Sequence, residues 1–231
     1  MEISVIVPVL NEELSIEKTL NALAGLQDIS EVIVVDGGST DQTCKLVENF
    51  HAIPALKLVR IHQAGRGRQL HEGTTQARSE IFWFVHADTI PKQGADLQIK
   101  KHLESIEVAG GNFEIIFDGK NRWAKMLTWL YPHLRFIGLV YGDSAMFIRR
   151  EVYEKINGFR DFPIFEDVDL FRRASRHGHF VTIRSAVTTS SRRFEQRNFG
   201  WTFISWMILQ GLYWLGVPAK ILAKYYLPIR K

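Results

Sequence analysis

Three carboxylates stand within four residues, at Glu166, Asp167 and Asp169. Acids at the start of a helix are favoured by its dipole, by ~0.3 to 1 kcal/mol each, so each has an ordinary structural explanation. Crowded carboxylates also repel one another, and that repulsion raises proton affinity enough for one to serve as a general base. Upstream, His86-Ala87-Asp88 places a carboxylate of the kind that holds Mg2+ or Mn2+ through hard oxygen ligands beside phosphates, with a helix cap as the plainer alternative. Asp36-Gly-Gly-Ser-Thr-Asp41 by itself reads most simply as a turn in which Ser39 or Asp41 caps a helix. In Gly65-Arg-Gly-Arg-Gln-Leu70, Leu70 stands where a dinucleotide fingerprint needs its third glycine, so Arg66 and Arg68 suit phosphate oxygens instead.

These groups fall where a particular architecture would put them. Residues 3–10, 31–35, 56–61 and 81–85 are short runs rich in Val, Ile or aromatics and read as buried strands. Between them, residues 12–25, 41–50 and 67–77 carry apolar side chains at helical spacing. Strand then helix, repeated, predicts a Rossmann-like, mostly parallel α/β sheet flanked by helices. Ligands of such sheets bind beyond the carboxyl ends of the strands, and all four ends are polar here: Pro8 to Glu12, Asp36 to Asp41, Gly65 to Arg68 and His86 to Thr89. The second half is less regular, with a turn expected at 110–113, an aromatic helix at 122–136, a strand at 145–148 and a helix at 166–176.

The chain has 231 residues, 46% of them apolar and 23% charged, which excludes a disordered or collagen-like chain. Cys44 is the only cysteine, so there is no internal disulfide and no Cys-based zinc site. The acidic start, Met1-Glu2-Ile3, with Pro8 soon after, does not resemble a secretory signal, and a cytoplasmic protein is expected. A net charge of +4 hides a division. Residues 1–169 carry 18 Lys and Arg against 24 Asp and Glu, whereas residues 170–231 carry 11 against one. Such a basic block points to a polyanion or to a solvated face.

Inside that block, residues 198–219 carry no charge, enough at ~1.5 Å per residue to span ~30 Å if helical. Three glycines and Pro218 argue against a span, and the wheel is uneven: Trp201, Ile204, Ile208 and Leu215 share one face, Thr202, Trp206, Gln210 and Tyr213 another. A helix lying on a surface fits better, with Arg192, Arg193 and Arg197 before it and Lys220, Lys224, Arg230 and Lys231 after it to meet anionic headgroups. Packing on its own domain or on a second copy, as in a homodimer, is the rival reading.

Taken in order, Val5-Ile-Val-Pro-Val-Leu-Asn-Glu12, Glu31-Val-Ile-Val-Val-Asp-Gly-Gly-Ser-Thr-Asp41, His86-Ala-Asp88 and Glu166-Asp-Val-Asp169 resemble glycosyltransferase family 2, which has the GT-A fold. Gly142-Asp143, Ala145 to Arg150 and Gly158-Phe159 are further similar to small, single-domain bacterial members. The resemblance covers residues 1–195, leaving 196–231 as a C-terminal helical segment at a membrane interface. It implies an inverting enzyme that takes a sugar from a nucleoside-diphosphate donor, UDP-linked. Pro8, Asn11, Glu12 and Asp36 would line the nucleoside pocket, Arg66 would lie beside the donor, and Asp88 would bind the divalent metal, Mn2+ or Mg2+. Asp167 would be the general base, with Asp143, Tyr141 and Glu166 facing the acceptor. Arg192 and Arg193 would close over the donor diphosphate, since paired guanidiniums make charge-assisted bonds to phosphate.

One departure matters. The family's metal motif is Asp-x-Asp, and His86 stands in place of the first acid. A negative charge is lost, and imidazole suits Mn2+ better than Mg2+. Either Asp88 alone anchors the ion while His86 turns to the sugar or ribose, or metal dependence is weakened; simple packing of His86 is the third reading. The basic, aromatic C-terminal segment points to a lipid-like acceptor and a peripheral place at the inner face of the cell membrane, with nucleic acid not expected as a partner. A nucleotidyltransferase would need a Gly-rich, Lys-bearing loop after the first strand, and residues 8–13 have neither residue. A non-catalytic membrane adaptor leaves the ordered acids unexplained.

Overall fold

The branched and aromatic runs of the first half form four parallel strands, β1 (Ile3–Val9), β2 (Glu31–Asp36), β3 (Leu56–Arg60) and β4 (Ile81–Phe84), alternating with α1 (Ile16–Ala24), α2 (Thr43–Glu48) and α3 (Arg66–Gln76). The computed structural model describes residues 1–119, 122–136, 141–191 and 199–226. Chain order continues through β5 (Thr89–Ile90), α4 (Ala95–Leu103), β6 (Val108–Phe117), α5 (Arg122–Phe136), β7 (Phe147–Arg149), α6 (Arg150–Lys155), α7 (Glu166–Ala174), β8 (His179–Thr189), α8 (Phe199–Trp214) and α9 (Ala219–Leu222). All the strands join one sheet in the order β3-β2-β1-β4-β7-β6-β8-β5. Its first four strands are parallel, β7 runs antiparallel to both β4 and β6, and β8 is again parallel to β6.

Burial explains why the strands read as unbroken apolar runs. Every residue of β2 and β4 is buried, because helices cover both faces. Val5, Val7 and Trp83 point into a larger core shared with Leu20, Leu23 and Ile99, while Ile6, Phe82 and Phe84 enter a second core with Leu70 and Tyr153. Helix α1 buries Ile16, Thr19, Leu20 and Leu23, one face at i, i+3, i+4 and i+7.

Two expectations are corrected. Gly110-Gly-Asn-Phe113 is not a turn but the interior of β6. A Cβ on Gly110 would sit 2.4 Å from the Phe147 carbonyl oxygen, and one on Gly111 2.4 Å from that of Val181, so the glycines are there for close strand approach. The second is β8, an eleven-residue strand in a stretch where no element was expected.

The uncharged C-terminal stretch is broken. Helix α8 has 16 residues, Gly216 takes a left-handed φ of +91°, and Pro218 precedes the short α9. Among the described residues no helix is long and apolar enough to cross a membrane. Leu209, Ala219 and Leu222 join the larger core, with Trp206 and Tyr213 packed against it, while Trp201, Ile204, Ile208 and Leu215 are exposed. The uneven wheel therefore sorts inner from outer face.

Candidate active site

The ends of β1 and β2 are tied to each other by side chains bonding to backbone. Asn11, at a left-handed φ of +54° that asparagine tolerates, donates its amide N–H to Ser39 Oγ (2.9 Å) and accepts at Oδ1 from the Thr40 amide (2.8 Å). The Glu12 amide donates to Thr43 Oγ1 (2.7 Å), and the Glu12 carboxylate accepts from Ser15 Oγ (2.7 Å). Asp36 accepts from the amides of Gly38 and Ser39, each at 3.0 Å, as in an Asx turn. Burial alone would raise the Asp41 carboxyl, but the Thr43 hydroxyl and the amides of Thr43 and Glu13 hold it below its ordinary value. Beneath these loops Gln69, from α3, donates both hydrogens of Nε2 to the carbonyls of Val9 and Val35, 2.8 Å each. Pro8, Asn11, Glu12 and Asp36 are thus gathered at one edge, with Gln69 as a supporting residue the sequence did not single out.

Across from this edge stands the start of α7. Phe165, at φ +62°, turns the chain into the helix and delivers Glu166 and Asp167 to its first turn, where the dipole favours acids. Asp167 is only 5% exposed and accepts from the Gly142 amide (2.6 Å) and from the Val168 amide (2.8 Å). Arg66, at the start of α3, bonds Glu166 through Nε and reaches Asp167 Oδ2 at 3.3 Å. Burial pushes the Asp167 carboxyl up; Arg66 pulls it back, Glu166 pushes it further, and the two amides pull it down. Burial, more than the crowding expected from sequence, is the main cause of the net rise. Burial opposes the charge on Arg66, yet Glu166 and Asp167 outweigh it and hold the guanidinium well above its ordinary value. The third acid, Asp169, is held by Arg173 (2.7 Å) and Arg160 (3.3 Å) and braces the helix.

His86 and Asp143 meet between the two edges. His86, at the end of the β4 run, lies 2.9 Å through Nδ1 from Asp143 Oδ1. Gly142 sits beside them: a Cβ there would lie 2.9 Å from His86 Nε2 and 3.2 Å from Asp167 Oδ2, so both atoms face the same small space. Asp88 is half-buried, and its backbone carbonyl accepts from the Ser190 amide (3.2 Å). Among the described residues no three His, Cys, Asp or Glu side chains form a group that could hold a metal ion. A divalent ion held at Asp88 would therefore need most of its oxygens from a bound diphosphate or from water.

Other expectations shift. Tyr141, expected to face an acceptor, is buried, donates its hydroxyl to Gln210 Oε1 (3.2 Å) and lies against Trp206. Glu166, also expected to face an acceptor, is 1% exposed and bonds Arg66. Arg66 bonds the carboxylates of Glu166 and Asp167, and Arg68 pairs with Asp161 (3.0 Å) at the surface. Arg192 and Arg193 lie outside the described residues. The Gly142 amide, which grips Asp167, escaped the sequence because the only sign of it is the bare glycine before Asp143.

A parallel first half, antiparallel β7 and an acid-led α7 make this the GT-A fold. Residues 4–161 match the family described as Glycosyl transferase family 2, and the chain belongs to that family. The probable glycosyltransferase YdaM of Bacillus subtilis is 26% identical over 222 residues, covering 87% of this chain and 53% of that protein. Staphylococcus aureus TarS 1–349 in complex with UDP-GlcNAc superposes with a TM-score of 0.69 at 20% identity, over 83% of this chain and 59% of that one. The mannosyltransferase PcManGT of Pyrobaculum calidifontis, in complex with GDP-Man and Mn2+, gives 0.68 at 22% identity, over 91% and 61%. The chain spans about half the length of the curated relatives it matches.

Proposed function

We propose that this chain moves a sugar from a nucleoside-diphosphate donor, UDP-linked, to an acceptor hydroxyl with inversion, and that Asp167 is the general base. The observation that carries the proposal is Asp167 itself: buried, held in orientation by the Gly142 amide and Arg66, and pushed towards a higher proton affinity at the edge facing the strand ends. A base works best when its affinity approaches the operating pH, so the upward shift serves proton removal.

In this reading the nucleoside lies over Pro8, Asn11, Glu12 and Asp36, and the diphosphate points towards Asp88, with Arg192 and Arg193 closing from the segment outside the described residues. Asp167 takes the proton of the acceptor hydroxyl while that oxygen forms its bond to the anomeric carbon from the face opposite the diphosphate. The bond to the diphosphate breaks and its electron pair leaves with the nucleotide. A divalent ion on Asp88 would supply neutralisation of the departing diphosphate, and the Mn2+ that accompanies GDP-Man in the PcManGT complex supports that assignment. His86, oriented by Asp143, offers Nε2 to the sugar beside Asp167. The basic, aromatic C-terminal segment supports a lipid-like acceptor.

Thermal shift with UDP and GDP, with and without Mn2+, followed by transfer assays on Asp167→Asn, tests this. A nucleoside diphosphate with Mn2+ should raise the melting temperature of both proteins, and the variant should lose about 10³-fold in turnover. No shift with any nucleotide overturns the donor assignment, and unchanged turnover overturns the base.

A further inference from the structure

Helix α8 has two apolar faces, one packed on the core and one largely exposed among the described residues. Inward, Leu209 is buried, Gln210 accepts from Tyr141, and the Tyr213 ring stacks on Phe165 with centroids 4.8 Å apart. Outward, Trp201 is 69% exposed, Ile204 51%, Ile208 56% and Leu215 83%. Their spacing of three, four and seven residues draws one continuous stripe along the helix, and Leu212, also exposed, fills its longest gap. Isolated exposed apolar side chains need no explanation, but a contiguous stripe of this length marks a surface that meets something apolar.

We propose that this outer face docks on the surface of an anionic lipid bilayer. Charge selects that occupant. Residues 199–226 carry Lys220 and Lys224 and no acid, and the sequence adds Arg197, Arg230 and Lys231, which lie outside the described residues. Lys220 and Lys224 are spaced four apart, each followed by an exposed apolar residue, Ile221 and Tyr225. A second copy packed through this face about a twofold axis would bring two basic, acid-free segments together. Lipid phosphates attract the same charges, and the stripe enters the boundary between headgroups and acyl chains.

The geometry fits lying on a bilayer rather than crossing it. Sixteen residues reach only ~24 Å at the helical rise, and Gly216 and Pro218 then turn the chain. The docked helix would carry the active site with it. Tyr141, bonded to Gln210, precedes the Gly142 amide that grips Asp167, and Phe165, stacked on Tyr213, precedes Glu166 and Asp167. Binding at the outer face is thus linked to Asp167 through the Tyr141–Gln210 bond and the Phe165–Tyr213 stack.

Co-sedimentation of the full chain with vesicles of phosphatidylcholine, alone or mixed with phosphatidylglycerol, tests the proposal. The protein should pellet with the mixed vesicles at low salt and be released as salt rises. Ile204→Ser/Ile208→Ser should bind about tenfold or more weakly, and Lys220→Glu/Lys224→Glu should lose about as much. None of the four positions is buried, so melting temperatures and the UDP–Mn2+ thermal shift should stay at wild-type values, which separates failure here from failure of the transferase reading. No pelleting of wild type with anionic vesicles overturns the proposal, as does equal pelleting of the variants. So does a dimer in light scattering that Ile204→Ser/Ile208→Ser dissolves while vesicles go unbound, which would assign the face to a second copy.

Discussion

The two edges of the site use acids in opposite ways. At the ends of β1 and β2, Asp36 and Asp41 accept bonds from amides and a hydroxyl, and Asp41 is held in its charged form below the ordinary carboxyl range. At the start of α7, Asp167 is buried deeply enough to be pushed the other way, in spite of an arginine and two amides. The first edge uses its carboxylates to hold loops in shape. The second keeps one under tension between burial and charge, which suits a group that must take up a proton during each turnover.

Three substitutions sharpen that contrast. After the loss of turnover expected of Asp167→Asn, Gly142→Ala should have the largest effect, because its Cβ would crowd His86 Nε2 and Asp167 Oδ2. Displacing the base by a fraction of an ångström is expected to cost about 10²-fold in turnover, with nucleotide-induced thermal shift retained; normal turnover would show that the space beside Gly142 is idle. Asp41→Ala should act on stability instead, losing about 1.5 kcal/mol in urea titration at neutral pH. That loss should shrink as pH falls through the lowered Asp41 value, since the bonds to the carboxylate are present above the ordinary range and lost on protonation. Asp167→Asn should show the smallest stability effect, with the reverse slope. The folded chain binds the Asp167 proton more tightly than the unfolded chain, so this carboxyl stabilises the fold at acid pH and loses that contribution as pH rises through its raised value. The variant should therefore gain on wild type as pH rises from the ordinary carboxyl range through that raised value; a gap that does not move with pH would mean the carboxyl is not perturbed.

The nucleotide half was legible because its signals are local. Val and Ile runs, helical spacing at Ile16, Leu20 and Leu23, and acids after strands all lie within a few residues of one another. What sequence reading lost depends on distance along the chain. Arg66 and Glu166 are a hundred residues apart, and nothing local says that a phosphate-like arginine pair will be turned onto carboxylates. His86 meets Asp143 only because β7 inserts beside β4. Gly110 and Gly111 carry the local signature of a turn, and only the closeness of Phe147 and Val181 shows why a strand would want them. The bond between Asp169 and Arg173 was within reach, being an i, i+4 pair on a helix correctly expected.

Helix α3 has a mechanical role that its plain sequence does not advertise. Gln69 pins the tips of β1 and β2 by their carbonyls, and Arg66, three residues earlier, grips the acids of α7. Less than one helical turn, a rise of ~4.5 Å, therefore separates the anchor of the β1 and β2 tips from the anchor of the α7 acids. The helix works as a strut: any tilt would carry both anchors together, so the spacing between the strand ends and the start of α7 is gauged by that fraction of a turn rather than by the loops around it.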